Sequence, residues 1–161
     1  MMAPVVIAIE AAYVAILALA AFSDARRFLI PNIYPLCLLL LGVVAYFVGF
    51  PFYAPIWSHL LHFAAALGVG MILFHFGWFG GGDVKLYSAV ALWFGISDGL
   101  SLLLVTSLCG VVIVTLSVLF RLLRTAFGSG DQDKGSFMKR RIAYGIAIAA
   151  GGIFSLFWRL H

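Results

Sequence analysis

From Ala3 to Phe22 the chain runs through twenty residues with one charged side chain, Glu10. A helix of about 20 apolar residues matches the hydrocarbon thickness of a bilayer. Comparable runs follow at Ile33–Phe50, Pro55–Trp78, Leu100–Leu123 and Ile142–Trp158, with a shorter one at Val84–Ile96. A water-soluble domain carries about 25% charged residues, whereas this chain carries 10% and is 65% hydrophobic. With 161 residues in all, six such segments leave no room for a sizeable extramembrane domain. The expected fold is all-α: a polytopic integral membrane protein of six transmembrane helices, one domain over residues 1–161. Cys37 and Cys109 stand alone in apolar runs, without the paired spacing of a disulfide framework or a zinc ribbon.

Charge sets the expected topology. No basic residue precedes the first apolar run, while Arg26 and Arg27 follow it, the reverse of a cleaved signal peptide. Nine of the ten basic residues lie in or beside the connections after the first, third and fifth helices: Arg26, Arg27, Lys85, Arg121, Arg124, Lys134, Lys139, Arg140 and Arg141. This bias makes those connections cytoplasmic and places both termini outside. The net charge of +4 therefore reports topology and implies no nucleic-acid partner. The one long polar stretch, residues 124–141 with Gly128-Ser129-Gly130-Asp131, reads as a cytoplasmic loop.

The chain has only six acidic residues. Asp131 and Asp133 belong to the polar loop, and Asp98 to an external turn beside Gly99. Asp24 and Asp83 differ, since each lies at the same membrane face beside apolar sequence, where ionisable groups are costly and usually functional. The plainer reading pairs Asp24 with Arg26 or Arg27, and Asp83 with Lys85, as interfacial anchors. Gly80-Gly81-Gly82 favours a site instead, because it permits close backbone approach just before a carboxylate at a helix N-terminus. Two carboxyl groups brought together share a proton. One then deprotonates water while the other polarises a carbonyl, which is peptide hydrolysis without a metal.

Three segments carry a family resemblance. Asp24-Ala25-Arg26-Arg27-Phe28-Leu29-Ile30-Pro31-Asn32 resembles a first-aspartate block, and Gly80-Gly81-Gly82-Asp83-Val84-Lys85-Leu86 a GxGD block. Ala143-Tyr144-Gly145-Ile146-Ala147-Ile148-Ala149 is similar to a Pro-Tyr-Gly block opening the last helix, with Ala143 in place of proline. Together they resemble the type IV prepilin peptidases, GxGD intramembrane aspartyl proteases, in the short form of Flp (tight-adherence) pilus systems that lacks the methylation domain. The resemblance implies a multi-pass protein of the bacterial inner membrane that removes the leader of prepilins and pseudopilins after a glycine. Asp24 and Asp83 would be catalytic, with Gly80, Gly82, Lys85, Pro31, Asn32, Tyr144 and Gly145 binding substrate or shaping the site, and with no metal or cofactor. A basic leader would be repelled by Lys139, Arg140 and Arg141, so an acidic residue at the start of the mature pilin is their expected partner.

The remaining polar residues have structural expectations. Glu10 lies 14 positions before Asp24, about 21 Å along a helix, too far to join it. His59 and His62 read as interfacial residues near Trp57, and His75 stands near enough to the glycines to hydrogen-bond by the site. Gly151 and Gly152 suit close helix packing. Two other functions remain open on the residues alone. One is a proton-coupled carrier using Glu10, Asp24 and His75, and the other a non-catalytic assembly subunit of a secretion or pilus apparatus.

Overall fold

A computed structural model of the chain describes residues 4–127 and 144–160. The described residues form α1 (Pro4–Arg27), α2 (Ile33–Val48), α3 (Ile56–His75), α4 (Gly81–Ala91), a 3-10 turn (Ile96–Asp98), α5 (Gly99–Phe127) and α6 (Tyr144–Leu160). The six expected helices are present in order. Three stretches, Pro4–Arg27, Ile56–His75 and Ile96–Phe120, are long and apolar enough to cross a membrane, and α2 and α6 are shorter apolar helices. At 11 residues, α4 is about 16 Å long, roughly half a bilayer core.

The helix ends differ from the expected ones for local reasons. α1 continues past Phe22, so Asp24 is helical. It stops where Phe28 takes φ 50° and its N–H bonds the Asp24 carbonyl at 2.8 Å. Pro31 then disfavours helix at Ile30. Gly49 (φ 81°) ends α2 in the left-handed conformation, which glycine adopts without Cβ strain. α4 starts at Gly81 rather than Val84 and ends well before Ile96. α5 runs to Phe127, so residues 124–127 are helical rather than part of the expected loop. The rest of that loop, including Asp131, Asp133, Lys134 and Lys139–Arg141, lies outside the described residues, as do Ile142 and Ala143.

The short helix α4 sits inside the bundle, packed on α2, α3 and α6, while α1 packs on α2 and α6, and α5 on α6. Its residues Leu86, Ala89, Val90 and Ala91 are fully buried. Just beyond it, Trp93 packs its ring at a tilt against that of Tyr13, 4.8 Å between centroids, and donates to the Leu38 carbonyl at 3.3 Å. α6 approaches closely through glycines. A Cβ at Gly151 would stand 2.5 Å from Thr106 Cγ2, and one at Gly152 would stand 3.0 Å from the Tyr13 hydroxyl. This is the close packing expected of those residues.

His59 and His62 are not interfacial. Both are buried, at 2% and 4% exposure. Their Nδ1 atoms lie 3.0 Å from the carbonyls of Leu92 and Phe94. A carbonyl only accepts, so both Nδ1 atoms carry the proton. The two imidazoles thus satisfy carbonyls left free where α4 ends, and they fasten α3 to that end. Asp98 is not simply a turn residue either. Its carboxylate pairs with Arg159 at 2.9 Å, tying the 3-10 turn to the end of α6.

Candidate active site

The three sequence blocks meet at one end of the bundle. Asp24 comes from the last turn of α1 and is 5% exposed. Its Oδ2 accepts the backbone N–H of Gly145 at 2.7 Å, a group in the first turn of α6 that has no partner within its own helix. A side chain at 145 would collide here, since its Cβ would stand 2.7 Å from Ile30 Cδ1 and 2.8 Å from Asp24 Oδ2. Glycine at this position is therefore what lets α6 reach the carboxylate.

Asp83 is held by its position in α4. Gly80 caps the helix in an extended conformation and Asp83 is third in the first turn. From there its carboxylate bonds back to the Gly80 N–H, the reach-back half of a capping box. A Cβ at Gly80 would lie 2.7 Å from Asp83 Oδ2, so the glycine leaves room for that return. Gly82 serves a different neighbour. Its Cβ would stand 3.1 Å from Ile30 Cβ, so Ile30 fits between the glycines of the second and third blocks.

Asp83 lies outside the candidate spans. Burial pushes its carboxyl up to about 6, with the neighbouring Asp24 carboxylate adding to the rise and the Gly80 N–H opposing it. Asp24 is thus close enough for its charge to bear on Asp83. Neither aspartate is an interfacial ion pair with the basic residues beside it. Among the described residues the salt bridge is that of Arg159 with Asp98. Arg26 lies over the Phe22 ring at 4.3 Å, and Lys85 donates to Asn32 Oδ1 at 3.1 Å.

That last bond gives Lys85 and Asn32 a defined place, as an exposed link between the first and second blocks. Pro31 sits just before it in the α1–α2 connection. Tyr144 opens α6 with its ring 5.7 Å from that of Phe79, and both line a cavity that Asp83 also lines. Ile30 was not among the expected site residues. A lone apolar residue before proline carries no chemical signal, and only the glycines facing it reveal its role. His75 is exposed, with its ring against Phe76. Glu10 lies on the same continuous helix as Asp24, which keeps the two about 21 Å apart. The three groups of the carrier reading are therefore not assembled into a relay. Among the described residues, no three His, Cys, Asp or Glu side chains cluster to hold a metal.

The arrangement brings two carboxyl groups, one with a raised affinity for its proton, to a partly open end of an apolar bundle. Such a pair can exchange a proton with water and with a peptide group. Neither a curated protein nor a solved structure matches the chain. A family model does, over residues 11–115, a span that holds both aspartates and leaves the Tyr144-Gly145 block outside it. The match covers well over half of the sequence, and the chain belongs to the type IV leader peptidase family.

Proposed function

We propose that the chain is an aspartyl endopeptidase of the bacterial inner membrane that cuts the leader from prepilins and pseudopilins after a glycine, at the cytoplasmic face. The family implies a protease acting on prepilin-type substrates. The observation that carries the finer reading is the convergence of Asp24, Asp83 and Gly145 from three separate helices. In this reading six helices are embedded in the bilayer, both termini are outside, and the aspartate end faces the cytoplasm. The short α4 reaches only part of the way, so Asp83 opens towards the aqueous side.

The reaction follows from the pair. Asp83 holds the proton and donates it towards the scissile carbonyl oxygen, while Asp24 takes a proton from the attacking water. The water oxygen forms a bond to the carbonyl carbon, giving a gem-diol, and the C–N bond breaks as Asp24 returns its proton to the departing nitrogen and one diol hydroxyl gives its proton back to Asp83. The Gly145 N–H keeps Asp24 in one orientation throughout. No metal or organic cofactor enters this scheme.

The test is reconstitution of the purified chain with a Flp-type prepilin in liposomes, with the products read by mass spectrometry. A single cut after the glycine that precedes the mature sequence is the expected result. An intact prepilin, with the enzyme folded, would overturn the reading.

A further inference from the structure

A cavity of about 720 Å³ runs from Asp83 at one end of the bundle to His62 near the other. Its form follows from the packing. α3 packs on α4, α5 packs on α6, and α4 meets α6, but α3 with α5 is not among the closely packed pairs. The cavity is therefore a trough, with α4 and α6 as its floor and α3 and α5 as its walls. Along α5 the lining extends from Gly99 to Thr115, about 24 Å of helix. The walls are mostly apolar, with Thr106, Ser107 and Thr115 as polar positions on α5, and Val69, Leu103 and Val111 stand exposed on them.

We propose that this trough seats one apolar helix of the substrate, which enters sideways between α3 and α5 and delivers its cut end to Asp83. The proposal rests on the peptidase reading for the identity of the occupant. Three features select a helix. Gly70, Gly99, Gly110 and Ala147, one or more from each wall and from the floor, line it, and small residues allow close helix approach in a membrane. The length of the lining corresponds to about 16 residues of helix, enough to seat most of an apolar membrane helix. Asp83 is the acidic group of the lining. It repels the phosphate of a lipid headgroup but accepts the backbone of a peptide leaving the membrane.

The far end of the trough is also defined. His62 presents its ring there with Nδ1–H committed to the Phe94 carbonyl. Its Nε2 is then an acceptor, which joins Ser107 and Thr115 of α5 as hydrogen-bonding positions along a mostly apolar seat.

The experiment places a photo-crosslinking amino acid at Leu103 or Val111, which line the trough. The controls are Leu104 and Leu108, which are exposed on α5 but do not line it. Each variant of the full chain is co-reconstituted with prepilin, illuminated, and scored for adducts and for cleavage. The proposal expects at least about tenfold more prepilin adduct at the trough positions, mapped to the apolar segment after the cut. Prepilin cleaved normally, with adducts equal at all four positions, would overturn the trough and leave the peptidase reading intact. So would trough adducts of lipid only, or of a second copy of this chain. Trough adducts to prepilin without cleavage would support the seat and overturn the peptidase reading. Neither cleavage nor prepilin adduct would overturn both.

Discussion

The backbone N–H of Gly145 donates to Asp24 across 2.7 Å, joining residues 121 positions apart. This contact makes the start of α6 part of the aspartate site, although α6 contributes no carboxyl group there. Gly145→Ala tests it. The added Cβ would meet both Ile30 and Asp24, and overpacking of this kind costs about 1–3 kcal/mol. Borne wholly by the site, that is about a 5- to 150-fold loss of cleavage rate. Rate assays paired with thermal melts should show the rate falling more than the melting temperature. The reverse ordering would mean that Gly145 serves packing alone.

Asp83 should lower the stability of the fold at neutral pH. Its carboxyl is pushed up to about 6 from an ordinary 3.8, chiefly by burial. A carboxyl with a raised folded-state value contributes most below its unfolded value, and that contribution is lost as pH rises through the folded value. Asp83→Asn should therefore melt higher than the wild type above about pH 7, with the gap closing by about pH 4. Melting curves in detergent across that range provide the check. A gap that widens towards low pH would contradict the sign.

How much of this was readable in the sequence differs from residue to residue. Asp24 and Asp83 stood out because charge is costly in apolar surroundings, and the basic connections put them at one face. His59 and His62 were misread because nearly every neighbour on α3 is apolar. Periodicity in such a helix does not separate a lipid-facing side from a buried one. Their carbonyl partners at Leu92 and Phe94 arise from the early end of α4, which apolar sequence running on to Ile96 concealed. Gly145 belongs to a legible block, but its partner is not legible, since a backbone N–H has no signature in a sequence.

His59 should behave as a clamp on α4. His59→Leu leaves the Leu92 carbonyl without its donor, at a cost of about 1–3 kcal/mol. His59→Asn keeps a donor near the Nδ1 position and should recover part of that loss. Thermal melts of the two variants distinguish this role from simple packing, under which Leu would be the milder change.

The Lys85–Asn32 bond is exposed, and exposed polar links contribute at most about 1 kcal/mol. Lys85→Met and Asn32→Ala should each slow cleavage less than about fivefold. The double variant should be no slower than the slower single one, as expected of two ends of one interaction. Additive losses would show that the two residues act separately.

The central claim is that Asp24 and Asp83 act as one unit, and the most direct measurement compares cleavage of a reconstituted prepilin by wild type, Asp24→Asn, Asp83→Asn and the double variant. Both single variants should fold and insert yet leave the prepilin uncut. The double variant should be no worse than either, as for groups that function only together. A single variant that still cuts at the wild-type rate would contradict the account.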